Sequence, residues 1–175
     1  MGLFDHSKYV MDQKLLSIRD TYIIRDPEGN ELGKIEKKLL SIGPKYTFHD
    51  HSGAEVGRIE GKVLALRPTY SVLGPNGNLI ATLKKKLLTF LGSHYWFENP
   101  EGLEIMRAKG DFLAHEYQVT DRAGNTLAHI SKKWLSIRDS YGIDIIGEAD
   151  RYLILAAAVC IDAIEHEKRP RPEQQ

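Results

Sequence analysis

The sequence predicts a mainly β protein, about twelve antiparallel strands closing into a barrel around one buried C-terminal α-helix. Three observations carry this expectation. Tyrosines stand at positions 22, 46, 70, 95, 117 and 141, at spacings of 24, 24, 25, 22 and 24 residues. A glycine follows seven residues after each of the first five, at 29, 53, 77, 102 and 124. Near the C-terminus one run, Tyr152 to Ile161, is apolar on every side. A period of this length marks one supersecondary unit used repeatedly.

Each unit opens with a short run rich in aromatic and β-branched residues, such as Tyr22-Ile23-Ile24-Arg25, Tyr46-Thr47-Phe48-His49 or Tyr95-Trp96-Phe97-Glu98, which reads as a strand. The next four residues are Asp26-Pro27-Glu28-Gly29, Gly74-Pro75-Asn76-Gly77 and Asn99-Pro100-Glu101-Gly102, with Asp50 to Gly53 and Asp121 to Gly124 as less ideal versions. Asp or Asn first, Pro second and Gly fourth suit a type I turn closed by a left-handed residue, so Gly29, Gly77 and Gly124 are expected at positive φ. Second strands run into a recurring apolar segment: Leu15 to Ile18, Leu39 to Ile42, Val63 to Leu66, Leu87 to Phe90 and Trp134 to Ile137. Short connectors such as Gly43-Pro44 and Arg67-Pro68 return the chain to the next tyrosine. With the irregular Glu104 to Ala114 as a second strand of the fourth unit, the count is about twelve.

An open meander of this length would leave two unpaired edges, so closure is favoured. Side chains alone fill a barrel of about eight strands, so about twelve leave a central space to be occupied. Residues 151–167 supply the occupant, with Asp150 placed as N-cap. At about 1.5 Å per residue such a helix is roughly 25 Å long, comparable to the strands around it. The apolar run is too short for a membrane span, which takes about 20 residues.

The 24 basic residues balance 24 acidic ones, and 42% of the chain is hydrophobic, so the composition is that of a folded domain without a general attraction to nucleic acid. Cys160 is the only cysteine and reads as an inert core residue. The start, Met1 to Ser7, has no secretory pattern, and His6 stands where an N-myristoylation motif wants Ser or Thr. The expected location is the cytoplasm, with peripheral contact to membrane if lipid is the partner. Residues 1–167 are read as one domain and the charged, proline-punctuated residues 168–175 as a flexible tail.

The start Phe4 to Met11, the segments Lys14 to Asp20, Asp26 to Gly33 and Lys37 to Tyr46, and the C-terminal apolar helix together resemble the LURP-one-related family. That family is placed in the tubby C-terminal-like superfamily with the phospholipid scramblases. The resemblance implies a twelve-stranded barrel enclosing a C-terminal helix, in agreement with the count made from the repeat. Superfamily relatives suggest membrane-linked work: tubby domains bind phosphoinositides, and scramblases are associated with lipid movement. The chain departs from the scramblase pattern in lacking the long proline-rich N-terminal segment, the acylated cysteine cluster and an EF-hand-like calcium loop. It carries no tubby phosphoinositide signature either.

Fifteen and sixteen residues after the repeat tyrosines stand Lys37-Lys38, Gly61-Lys62, Lys85-Lys86, Gly110-Asp111 and Lys132-Lys133. A position repeated in each unit falls at one level of a barrel. Lys37, Lys38, Lys85, Lys86, Lys132 and Lys133 are therefore expected as exposed members of a broken basic ring that holds anionic lipid headgroups or a phosphorylated partner, away from the acidic turn tips at Glu28 and Glu101. The plainer account is that they solvate strands and discourage edge pairing. His49 and His51 flank Asp50 as a two-ligand metal candidate without a convincing third ligand, and a solvated turn is the simpler reading. His115-Glu116 lacks the second histidine of a zinc-protease helix. Asp162 and Glu165 are read as helix-end solvation or a salt link to a strand arginine. With no phosphate loop, nucleophile elbow or Cys-His arrangement, the expectation is a non-enzymatic binding module without catalytic residues, metal or cofactor. Its expected partner is an anionic phospholipid surface or another protein, not nucleic acid, and no transmembrane span is expected. The alternatives are a carrier holding a small apolar ligand beside the helix and scramblase-like lipid handling.

Overall fold

The computed structural model describes residues 2–16, 19–38, 42–62, 65–86, 92–111, 116–131 and 140–167. Twelve strands follow in chain order: β1 (Lys8–Leu16), β2 (Arg19–Arg25), β3 (Glu31–Lys38), β4 (Lys45–Asp50), β5 (Glu55–Gly61) and β6 (Thr69–Leu73), then β7 (Leu79–Lys85), β8 (Ser93–Glu98), β9 (Glu104–Asp111), β10 (Glu116–Asp121), β11 (Thr126–Ser131) and β12 (Ser140–Ile145). Helix α1 (Arg151–Glu167) ends the described chain. Each strand pairs antiparallel with its sequence neighbours, and β1 pairs with β12, so the meander closes into a barrel.

Five hairpins share one turn. In the first, the Gly29 amide donates to the Asp26 carbonyl at 3.1 Å, the Asp26 side chain accepts from the Asn30 amide at 2.8 Å, and Gly29 has φ 92°. Gly77 and Gly124 have φ 79° and 91°, as their turn position requires. The left-handed residue puts one extra residue on one side of the ladder, and the register slips after Ile24, Phe48, Val72, Phe97 and Val119. These bulges recur at one level and sharpen the twist that lets the sheet close.

The barrel has two unlike ends. The tight turns and the start of α1 occupy the turn end, where the Asp150 carboxylate accepts from the Leu153 amide at 3.0 Å as a helix N-cap. The Tyr152 hydroxyl there donates to the Leu73 carbonyl at 2.7 Å. Its ring lies over Gly57, where a Cβ would come within 2.4 Å of the ring carbon that bears the hydroxyl. The last residues of β1, β3, β5, β7, β9 and β11 lie at the other end, the connector end, toward which α1 runs.

Alternation sends Ile24, Ile35, Phe48, Ile59, Val72, Leu83, Phe97, Ala108, Val119 and Ala128 inward, all without solvent exposure. Small residues occupy α1 at Ala156, Ala157 and Ala158, so large strand side chains fit around the helix. A void wide enough for water would show as accessible surface on the side chains lining it, and these residues, like Ile154 to Cys160, show none. The interior at this level is solid.

Candidate functional site

At the connector end the repeat tyrosines turn inward. Tyr22, Tyr46, Tyr70, Tyr95, Tyr117 and Tyr141 are all buried, and each lies in the first strand of its unit. Three of them, Tyr22, Tyr95 and Tyr141, bring phenolic hydroxyls to the last turns of α1, where two carboxylates receive them. The Tyr22 hydroxyl donates to Asp162 at 2.7 Å, and the Tyr141 hydroxyl donates to the other carboxylate oxygen. Glu165 accepts from Lys85 Nζ at 2.6 Å, from Ser93 Oγ at 2.9 Å and from the Tyr95 hydroxyl. Both acids are buried, which corrects the expectation of helix-end solvation or an arginine link. The helix is seated by a lysine, a serine and three tyrosines of the repeat.

Burial alone would raise the Glu165 carboxyl, but hydrogen bonds from Lys85, Tyr95 and Ser93 outweigh it and hold the group below the usual glutamate value. Burial, followed by the nearby carboxylate, pushes the phenols of Tyr22, Tyr95 and Tyr117 up. The arrangement is an ionised pair fixed among neutral phenols. It ties the end of the helix to the barrel wall.

The six candidate lysines divide. Lys85 is 4% exposed and turns inward, a correction to its expected place on a surface ring. The reason is parity: it follows buried Ala81 and Leu83 at intervals of two and sits opposite Tyr95. Lys37, opposite Tyr46, is half-buried with its ammonium 5.9 Å from that ring's centroid. Lys38 and Lys86, one residue further on, are exposed. Lys132 and Lys133 lie outside the described residues. At the same register Gly61 and Gly110 replace lysine, and a Cβ on Gly110 would lie 2.3 Å from the Tyr117 ring. The position thus alternates between a lysine stem laid against a tyrosine and a glycine beneath one.

His49 Nδ1 lies 3.2 Å from the Gly53 carbonyl and Nε2 3.8 Å from Glu36, while His51 is exposed in the turn. Among the described residues no group of three histidine, cysteine or acidic side chains could hold a metal ion. His115 lies outside the described residues. The Cys160 thiol is fully buried, and burial raises its pKa.

Two surface features at the connector end escaped the sequence reading. Ile42 and Leu66 are 95% and 97% exposed, the last residues of two of the recurring apolar segments. Leu66 borders an open depression of about 520 Å³ lined also by Pro44, Lys62, Arg67 and Tyr70 among others. Beside it, over β7, β8 and β9, is a groove of about 380 Å³ that includes Arg67, Lys86, His94, Trp96, Arg107 and Lys109. Outward parity on β8 and β9 could mark His94, Trp96, Arg107 and Lys109 individually. Only cross-strand register, His94 opposite Lys109 and Trp96 opposite Arg107, assembles them.

The LURP-one-related profile matches residues 7–162, from the first strand to the last turns of the helix. The chain belongs to the LURP-one-related family. An uncharacterised protein of Bacillus subtilis (strain 168), YxjI, is 40% identical over 55 residues, covering 31% of this chain and 33% of that relative. The matched stretch spans about a third of the relative's length. An X-ray structure of an Arabidopsis thaliana protein superposes with a TM-score of 0.65 at 18% identity, over 93% of this chain and 94% of that one. That likeness extends the barrel-and-helix fold across distant sequences.

Proposed function

We propose that this LURP-one-related protein is a non-enzymatic binding module that docks its connector end on an anionic phospholipid surface. The observation that carries the reading is the pairing of two almost fully exposed apolar side chains, Ile42 and Leu66, with the exposed cations Lys38, Lys62, Arg67 and Lys86 at the same end. A large apolar side chain held in water gains free energy by entering the acyl boundary of a bilayer, and each cation beside an anionic leaflet adds about 1 kcal/mol. A protein surface offering an acidic rim around an apolar pocket is the second reading, supported by the same pair of exposed residues.

The alternatives fit less well. A carrier of apolar ligands needs interior space, and the side chains around the middle of α1 leave none. Among the described residues no helix is long and apolar enough to cross a membrane. The outward strand faces carry Lys34, Glu36, Arg58, Glu60, Lys84 and Glu98, the reverse of the apolar band of a membrane-spanning barrel.

Sedimentation with phosphatidylcholine vesicles containing phosphatidylserine tests the reading. Binding should grow with phosphatidylserine and fade with salt, and Ile42→Asp/Leu66→Asp should weaken it by at least tenfold, roughly 1.4 kcal/mol. The substitution should leave the melting temperature within about 2 °C, since neither side chain is in the core. A wild type that ignores these vesicles at low salt would make a protein partner the better reading.

A further inference from the structure

The groove over β7, β8 and β9 is built more fully than a chance cluster of surface cations. Trp96 forms its floor, and its indole N–H donates to Glu98 at 2.8 Å. Glu98 is held in turn by Lys84 at 2.6 Å. The Arg67 guanidinium lies over the Trp96 ring, its central carbon 5.5 Å from the centroid, so a long side chain from the connector is laid along the groove. Lys86 reaches the rim from the end of β7, where its amide donates to the His94 carbonyl at 2.9 Å. Lys109 stands directly across from His94 on β9.

The charges do not cancel. Glu104 is in the groove, but Arg107 neutralises it, with Nε at 2.6 Å and a terminal nitrogen at 2.5 Å from one carboxylate oxygen. Among the described residues Arg67, Lys86 and Lys109 form no ion pair with a carboxylate; Arg67 acts on Glu98 only at longer range, and Lys84 already pairs that group. With Glu98 matched by Lys84 and Glu104 by Arg107, a surplus of three positive charges faces one concavity beside an aromatic floor. A carboxylate ligand would bring one charge and two oxygens to them. A phosphomonoester brings a charge of about −1.5 to −2 and three acceptor oxygens, a closer match in charge and donor number.

We propose that this groove binds a phosphate group of the monoester class, with Arg67, Lys86 and Lys109 as its ligands and Trp96 as the floor against which Arg67 is oriented. The site deepens the membrane reading and rests on it only for the source of the phosphate. Leu66, next to Arg67 in the chain, is 97% exposed. A lipid phosphate held by Arg67 would accordingly place acyl chains beside Leu66. A soluble phosphate ester would use the same ligands without that neighbour.

Two arms separate these sources. In the first, phosphatidylcholine vesicles carry phosphatidic acid or phosphatidylserine at matched total charge. In the second, glycerol phosphate is titrated while the indole N–H resonance of Trp96 is followed. Wild type should prefer phosphatidic acid and show a saturable indole shift. Arg67→Gln/Lys109→Gln should weaken both by roughly tenfold or more. Lys8→Gln/Arg122→Gln, which removes the same charge at the turn end, should change them less than about twofold. Equal binding to both anionic lipids, unaffected by the groove variant and without an indole shift, would overturn the site and leave the membrane reading standing. Glycerol phosphate binding that the groove variant abolishes, with no vesicle binding, would support the site and overturn the membrane reading. A chain that responds to neither probe would overturn both. Matched thermal melts of the variants show that any loss arises at the groove.

Discussion

Lys85 and Glu165 show how one residue pair connects the repeat to the helix. Their side chains are 5% and 7% exposed, and the carboxylate also serves Ser93 and Tyr95. Lys85→Met would leave a buried anion without its cation, a change that costs about 3–5 kcal/mol. Lys85→Met/Glu165→Gln removes the stranded charge while keeping an acceptor for both hydroxyls, so urea denaturation should find the double variant more stable than Lys85→Met. An equal or larger loss in the double variant would show that the pair is not the seat of the helix. Protonation follows the same geometry. Because Glu165 titrates lower in the fold than the unfolded value of about 4.3, its contribution is complete above that pH and is lost as pH falls through the folded value. Turn carboxylates Asp26, Asp50 and Asp121, lowered chiefly by side-chain hydrogen bonds from Asn30, Ser52 and Asn125, share that acid limb. At the alkaline end the sign reverses. Burial pushes Tyr9 up to about 12, and Tyr22, Tyr95 and Tyr117 also rise. Stability should be lost as pH climbs from the unfolded phenol value near 10. Phenolate absorbance should then appear together with unfolding; phenolate formation well before loss of structure would contradict the burial of the ring.

At the scale of elements, the helix is the piece the barrel cannot do without. Leu153, Ile154, Leu155, Val159, Ile161 and Ile164 are buried, and at about 1.5–3 kcal/mol each their loss exceeds or matches the 5–15 kcal/mol of a typical domain. A chain ending before Asp150 should fail to melt cooperatively, and a soluble truncated barrel with a sharp transition would contradict this. Strands, turns and helix were legible because each rests on local chemistry. Asp-Pro-Glu-Gly fixes a turn within four residues, and Asp150 caps a helix three residues away. Lys85 and Glu165 were harder to read because they are 80 positions apart, and a lysine carries an outward expectation that strand parity overrides. The signal was present in Ala81-Thr82-Leu83-Lys84-Lys85, where alternation sends the last residue inward. The groove was illegible for a different reason. Arg67 belongs to a connector, His94 and Trp96 to β8 and Lys109 to β9, and no period links the three segments until register does.

For the whole molecule, the consequential contact is the closure of β1 on β12. Lys8 to Asp12 pair with Asp144 to Ser140 on one side, and Val10 to Leu16 pair with Arg25 to Arg19 on the other. Over Lys8 to Asp12 closure pairs the first strand with the last and removes the edge on which another chain could add a strand. It also fixes α1, since Tyr141 of β12 and Tyr22 of β2 grip Asp162 from either side of β1. Backbone amides along a strand point alternately to its two neighbours, so an edge strand has every second amide in solvent, whereas a strand paired on both sides has none. Residue-resolved hydrogen exchange should therefore find the consecutive amides of Val10, Met11 and Asp12 all protected, at a level approaching that of Phe48 or Val72 in the middle of the sheet. Protection that alternates along β1, with every second amide exchanging at the rate of a free peptide, would show that the barrel opens at this seam in solution. The helix would then be held by the remaining sheet and by the Lys85–Glu165 pair alone.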